Sequence, residues 1–587
     1  MSYRAPLAEM AFCAGRIVGQ DRLAATARFA EATPDTRAAI LEEAAKLCED
    51  VLAPLNRAGD LHPARLENGV VRCAPGFGEA YRAIARGGWV GMIGDPEWGG
   101  MGLPLSLATC VNEMMASASL ALSLNPMLTM GAIEALERHA SAEIKARYLP
   151  ALNAGTWTGT MNLTESQAGS DVGASTSRAE PNGDGSHAIT GQKIFISWGD
   201  HDLAENICHL VLARLPDAAP GTRGLSLFLV PKYIPDGGDE GDGAGSPGVA
   251  NALRPVSLEH KLGLHGSPTA VMEYDRATGW LIGAEHGGMA AMFTMMNNAR
   301  LGVGVEGLAI AELATQKAVA FALERRQGRT PDNSPGIAGH ADVRRMLLTM
   351  RTLTNAARAI CHDCAFSLDM ARAAGSDDAR ETHARRAAFL TPIAKAFGTD
   401  TGIEVANLAV QVHGGMGYIE ETGIAQLLRD VRVTAIYEGT NGIQAMDLVG
   451  RKLSVDRGAM ARSMLAEIAG TGAALAQAGG APATLADGVL EAAEAARRAT
   501  EWMLAASEPN DRNAGATPYL RLLALALGAH YLGRGALAAH GTADAAARLA
   551  LARFFVAQIA PQTAALARAA TAGAAPLYAI GAARLGA

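Results

Sequence analysis

The stretch HAITGQKIFIS (187–197) decides the architecture: it is short, rich in β-branched residues and followed at once by Trp198-Gly199, as a strand should be. ICHLVLARL (207–215) and GLSLFLVP (224–231) read the same way, each bounded by a turn former or charge. Residues 156–284 are therefore predicted to form a central antiparallel β-domain. On its N-terminal side, TRAAILEEAAKLCEDVLAPL (36–55) and the Met-containing apolar run from Leu107 to Leu136 carry helical spacing, so residues 1–155 read as an N-terminal helical domain. Beyond Glu285 the helical period returns over 285–453, interrupted by the turn-forming cluster RTPDNSPGIAG (329–339). Residues 454–587 read as a helical extension, clearest in EAAEAARRATEWMLAA (491–506) and LLALALGAHYLGRGALAA (522–539). The fold class predicted is mainly α with a central antiparallel β-domain. Inside that domain, DGGDEGDGAGSPG (236–248) is too Gly-rich and acidic to pack and reads as a mobile loop.

At 587 residues the chain is long enough for several cores and for a buried cofactor. Lys and Arg number 51 against 59 Asp and Glu, a net charge of −8, which argues against nucleic acid or an anionic membrane surface as partner. The seven cysteines suggest reduced thiols rather than a disulfide framework. No long apolar run opens the chain, so a cytoplasmic protein without membrane insertion is expected.

Two motifs mislead. Gly302-Val-Gly304-Val-Glu-Gly307 matches GxGxxG, but it follows MAAMFTMMNNAR (289–300) and leads into more helix, so helix packing is the better reading. Cys361 and Cys364 form a CxxC inside one amphipathic segment, with no second pair to complete a metal site, and no metal is predicted.

Three segments carry chemistry. The first runs Met161-Asn-Leu163-Thr164-Glu-Ser-Gln-Ala-Gly169-Ser170, followed by Ser197-Trp198; small residues and hydroxyls there suit close approach to a ring and a pyrophosphate. The second is Gln411-Val-His-Gly414-Gly415-Met-Gly417-Tyr418. The third is Ile436-Tyr437-Glu438-Gly439-Thr440-Asn441, where a carboxylate sits between an aromatic that can wall off water and a glycine that lets backbone approach a ligand. Desolvating such a carboxylate makes it a better base for a weakly acidic C–H.

In order and spacing these segments resemble the acyl-CoA dehydrogenase family over roughly residues 81–452. The resemblance implies a helical domain, a β-barrel domain and a four-helix bundle, with FAD as cofactor and an acyl-CoA as substrate. It implies Glu438 as catalytic base taking the α-proton while a hydride leaves the β-carbon, giving the trans-2-enoyl-CoA. FAD contacts carry over to Met161, Leu163, Thr164, Gly169, Ser170, Ser197, Trp198 and Thr440, and, across a dimer, to Arg325, Gln411 and Gly415. Gly442 stands where many members have Gln, and the aromatic expected after Arg325 is absent. Substrate contacts carry over to Ser170, Arg300, Tyr437 and Gly439, and the stretch around Glu438 is implied to donate a backbone N–H to the thioester oxygen. The extension, with Glu259-His-Lys261-Leu-Gly263-Leu-His265-Gly266, resembles the long bacterial branch. That branch implies a homodimer, electron-transfer flavoprotein as acceptor, and either a short to medium acyl group such as 3-methylthiopropionyl or a long fatty acyl chain. An acyl-CoA oxidase shares the same pattern. A DNA-binding alkylation-response relative would call for a basic C-terminal surface, which the block after Ser454 does not supply.

Overall fold

The computed structural model describes residues 3–236 and 247–586, so most of the 236–248 loop expected from composition lies outside the described residues. The chain divides into two compact units, Glu43–Ala299 with the first few residues, and Pro6–Glu42 with Arg300–Ala587.

The first unit combines three buried helices, α1 (Leu105–Ala118), α2 (Leu120–His139) and α3 (Ala142–Ala154), with a seven-stranded sheet. Its strands are β1 (Trp157–Asn162), β2 (Arg178–Pro181), β3 (His187–Ser197), β4 (Asn206–Arg214), β5 (Leu225–Pro231), β6 (Leu253–Leu258) and β7 (Thr269–Ile282). The order is β6-β7-β3-β2-β4-β1, and β5 joins β7 to β4, which closes a small barrel. Inside it, Ile189, Val211, Phe228, Met272 and Tyr274 form a dry core. Most pairings are antiparallel as predicted, but β1 pairs with β4 in parallel from Trp157↔Asn206 to Asn162↔Val211. Sequence period does not encode strand direction, and the crossover over residues 163–205, which contains β2 and β3, is long enough to permit it. A two-stranded hairpin, Arg65–Glu67 with Val70–Arg72, also lies in the region read as helical. Asn68 and Gly69 both take positive φ there, a turn signal that the helical reading passed over.

The second unit is all helical. Its long members are α4 (Gly288–Glu324), whose first turns belong to the other unit, α5 (Ala341–Ala373) and α6 (Asp377–His413). After the short α7 (Ile424–Val431) and α8 (Asn441–Asp447) come α9 (Ala459–Ala478), α10 (Ala486–Ala505) and α11 (Pro509–Ala538) of the extension. Residues 6–42 group with this unit rather than with the rest of the N-terminal region. Buried Met10, Cys13 and Ile17, the Glu9–Arg548 ion pair and the Arg548 guanidinium 4.0 Å over Phe12 hold them there. Among the described residues no single helix is long and apolar enough to cross a membrane; one bent pair, Ala545–Ile559 with Gln562–Ala570, passes that test jointly.

The GxGxxG segment is a packing device. A Cβ on Gly304 would stand 2.5 Å from the Ala394 carbonyl oxygen, and one on Gly307 2.3 Å from that of Gly398. Gly398 and Gly402 meet α4 just as closely, so α4 and α6 pack backbone to backbone. Cys361 and Cys364 are both buried on α5, and burial pushes the Cys364 thiol up to about 12.

Candidate active site

The contact between α4 and α6 places two ionisable side chains, Glu306 and Lys395, in the interior of the helical unit. Both are buried, although each stands in an otherwise small and apolar run, LGVGVEGLAIA and TPIAKAFGT. Above them the chain leaves α7, makes a 3-10 turn over Arg432–Ala435, and reaches Tyr437-Glu438-Gly439-Thr440 before α8 begins. Thr440 caps α8 by accepting from the Ile443 N–H at 3.3 Å, which fixes where the loop ends.

Glu438 has φ +56° and Gly439 +84°. Glycine takes that conformation freely, whereas for glutamate it stores strain that surrounding contacts must hold. Arg300 Nε donates to the Glu438 carbonyl at 3.3 Å, and Gln444 Nε2 donates to the carbonyls of Glu438 and Gly439 at 3.2 and 3.3 Å. A Cβ at position 439 would lie 2.8 Å from Gln444 Nε2, so the bracing amide needs glycine there. One residue back, the Tyr437 hydroxyl donates to Glu306 Oε2. One turn on, Asn441 Oδ1 accepts from Lys395 Nζ at 2.9 Å, while its Nδ2 donates to Asp400 Oδ1 at 2.7 Å.

This setting shifts every ionisable group in it. Burial pushes the Glu438 carboxyl up to about 7, against the pull of the Arg300 and Lys395 charges. Burial pushes Glu306 up to about 8, the Tyr437 hydrogen bond opposing and the nearby Glu438 charge adding to it. Burial pulls Lys395 down to about 8, although Glu438, Asp400 and Glu306 favour its charge. A carboxylate whose proton affinity sits near neutrality, on a loop pinned at both ends, is suited to general-base work.

In the other unit, the turn after β1 is organised by a buried ion pair. Lys193 Nζ lies 2.8 Å from Glu165 Oε1 and also donates to the Leu163 carbonyl at 3.0 Å. Glu165 accepts four further hydrogen bonds from the backbone and hydroxyls of Thr176 and Ser177. Burial works against its charge, but Lys193 and these donors hold the carboxyl well below the usual range. The turn so fixed carries Thr164, Gly169 and Ser170, and β3 beside it ends in Ser197 and Trp198. Met161 and Trp198 are buried, Leu163, Thr164 and Ser197 half-buried, Gly169 and Ser170 exposed.

A third group gathers at one end of the helical unit. Phe321 stacks on His413 with ring centroids 4.3 Å apart, joining the end of α4 to the end of α6. Arg325, whose N–H donates to the Phe321 carbonyl, Gln411 and Gly415 lie around that stack, all exposed. Of the residues predicted from sequence, the structure thus brings Arg300, Tyr437, Glu438, Gly439 and Thr440 into one cluster and Arg325, Gln411 and Gly415 into another.

Family models agree with this layout. Residues 34–156 match the acyl-CoA dehydrogenase N-terminal domain, 160–277 the middle domain and 286–453 the C-terminal domain, while 464–581 match an acetyl-CoA dehydrogenase C-terminal-like domain. The chain belongs to the acyl-CoA dehydrogenase family. It is 46% identical over 545 residues, 92% of each chain, to 3-methylmercaptopropionyl-CoA dehydrogenase of Ruegeria pomeroyi. It is 36% identical over 441 residues to a butyryl-CoA dehydrogenase of Syntrophomonas wolfei, covering 72% of this chain and 71% of that one. The fold matches Caenorhabditis elegans ACDH-11, solved with C11-CoA, at a TM-score of 0.79 and 20% identity over 95% of this chain and 92% of that one.

As an acyl-CoA dehydrogenase the protein oxidises an acyl-CoA thioester between its α and β carbons. Glu306, Lys395, Asn441 and Gln444 complete the cluster around Glu438, and sequence reasoning assigned none of them a role. The available signal for Glu306 and Lys395 was a single charge inside each of two small, apolar stretches, 301–311 and 391–399, which is costly to bury without a purpose. Arg300, expected on the substrate side, is buried and turned toward the backbone of the base loop.

Proposed function

We propose that Glu438 is the base that removes the α-proton of the acyl-CoA, and that the chain works with FAD. The observation that carries this reading is the Glu438 carboxyl, raised to about 7 by burial on a loop braced by Arg300 and Gln444. The residues present fit the flavin: the Trp198 indole N–H is buried without a partner. Trp198, Thr164, Ser170 and Ser197, with Met161, Leu163 and Gly169, would hold it on the barrel unit, and by the family resemblance Arg325, Gln411 and Gly415 would serve a second copy in a homodimer. FAD, when bound, supplies the two-electron acceptor for the hydride that leaves the β-carbon. The chain's own work is to orient the thioester, exclude water with Tyr437, offer a backbone N–H of the Glu438 loop to the thioester oxygen, and keep the α-proton on a Glu438 oxygen.

The substrate proposed is 3-methylthiopropionyl-CoA, the acyl-CoA named for the 46% identical relative, which matches 92% of both chains. Electron-transfer flavoprotein is the acceptor and the cytoplasm the location that follow from this reading. An anaerobic titration with 3-methylthiopropionyl-CoA, butyryl-CoA, octanoyl-CoA and palmitoyl-CoA, followed in the visible flavin bands, tests it. Bleaching at the lowest concentration by the thioether substrate is expected. Preferential bleaching by palmitoyl-CoA would replace it with the long-chain reading, and a colourless preparation would remove the flavin assignment.

A further inference from the structure

The reaction needs one carboxylate, yet a second glutamate is buried directly beneath the loop that carries Glu438. Glu306 is 2% exposed and makes no ion pair among the described residues. Its Oε2 accepts from the hydroxyl of Tyr437, the residue before the base, and its Oε1 is buried with no partner. A carboxylate left with one oxygen undonated in a dry helix interface is strongly disfavoured, whereas a carboxylic acid there still accepts the phenol proton on its carbonyl oxygen.

We propose that Glu306 is a positioning residue of the dehydrogenation: as a neutral acid gripping the Tyr437 phenol, it anchors the strained loop that presents Glu438 without adding a second negative charge to the site. The charge count matters because negative charge develops on the thioester oxygen as the α-proton leaves, and a second buried anion would oppose it. The groups facing Glu306 are Tyr437 and Glu438 from the base loop and Lys395 from α6, with Arg300 one and a half turns before it on α4. Its raised proton affinity agrees with the neutral form at pH 7. Arg300 and Gln444 donate to the loop's carbonyls, and the Tyr437 hydroxyl adds a side-chain tie on the approach to Glu438.

This inference rests on Glu438 being the base, and the experiment separates the two. Single-turnover flavin reduction by a bleaching acyl-CoA is measured against pH for the full-length holoenzyme and for Glu306→Gln, Glu306→Leu, Tyr437→Phe and the Leu/Phe double variant. In Glu306→Gln, which keeps the neutral shape, the acid limb near pH 7 should stay where it is in the wild type. Glu306→Leu and Tyr437→Phe should each slow reduction on the order of 10- to 100-fold at saturating substrate while the half-saturating concentration moves less than about threefold. The double variant should be no slower than the worse single one, because both remove the same tie. A downward shift of the acid limb in Glu306→Gln would mean that Glu306 carries charge in the wild type and would overturn the proposal. So would wild-type rates in Glu306→Leu or Tyr437→Phe, or multiplicative effects in the double variant. Should Glu306→Leu fail to fold, the acid limb of Glu306→Gln and the rate of Tyr437→Phe still decide. Failure of the underlying reading shows differently, as unimpaired bleaching in Glu438→Gln.

Discussion

Glu438 combines a left-handed backbone with a carboxyl that burial keeps protonated up to about pH 7, and both features oppose folding. The rate consequence is direct: under the proposed role the ionised form of Glu438 takes the proton, so flavin reduction should rise as pH passes upward through about 7. Glu438→Gln should keep FAD and bind acyl-CoA while slowing reduction by about 10³-fold, within the range a general base contributes. The stability consequence has the opposite slope. The carboxyl ionises in the unfolded chain from its ordinary value of 4.5 but in the folded chain only near 7, so stability falls as pH rises between those values and the loss is complete above them. Glu438→Gln should therefore melt above the wild type at pH 8 and level with it at pH 4, which thermal scans at the two pH values would check. Equal melting temperatures at pH 8 would mean that the folded-state carboxyl is not perturbed. Glu438 was legible in sequence because its neighbours Tyr437, Gly439 and Thr440 form a recognisable string. Glu306 was not, because a glutamate in mid-helix looks like a solvated one until α6 is known to cover it.

Between elements, the glycines of α4 and α6 decide how close Glu306 and Lys395 come to the base loop. Gly307→Ala drives a methyl to 2.3 Å from the Gly398 carbonyl oxygen and 2.5 Å from Thr399 Cα, backbone atoms that cannot step aside alone. It should cost about 1–3 kcal/mol of stability, as overpacking does, and should also lower kcat, since Thr399 and Lys395 both bind Asn441 next to the loop. Denaturant melts and turnover measured together would check this, and wild-type stability or wild-type turnover in the variant would each contradict it. In the barrel unit the equivalent element is the turn 163–177. Glu165→Ala would leave Lys193 charged and buried, at a cost on the order of 3–5 kcal/mol, and would free the turn that carries Gly169 and Ser170. Purified Glu165→Ala should hold less flavin per chain than the wild type, read from the ratio of visible to ultraviolet absorbance. The helical and strand periods were readable over both units because each element is amphipathic or dry along its length. Strand direction was not, since β1 and β4 carry the same residue pattern whether parallel or antiparallel, and the hairpin at Asn68-Gly69 was hidden by the helices around it.

At the scale of the whole helical unit, the extension is locked to the bundle by a buried polar network as well as by apolar packing. Asp363 on α5 pairs with Arg386 on α6, which also reaches Glu467 on α9, and the Tyr531 hydroxyl on α11 donates to Asp363. Thr471 on α9 and His530 on α11 meet at 2.9 Å beside it. Three long helices therefore converge on the Asp363 carboxylate and a fourth joins through Arg386, which ties the block after Ser454 to the bundle. Burial opposes the Asp363 charge, but Arg386 and the Tyr531 hydroxyl hold its carboxyl below the ordinary value. A carboxyl depressed in the folded state contributes stability that is present above its unfolded value of 3.8 and is lost as pH falls through the folded one. Asp363→Ala should accordingly lower stability by about 3 kcal/mol at pH 7, because it strands a largely buried Arg386 with only Glu467. The gap to the wild type should narrow as the pH is taken below 3.8, where the wild-type carboxyl also begins to lose its charge. Urea melts of both proteins at pH 7 and pH 3 would read the difference. A gap that stays the same size at both would mean that Asp363 acts through its packing alone, and the junction would then depend on apolar contacts such as those of Leu475, Val489 and Leu532.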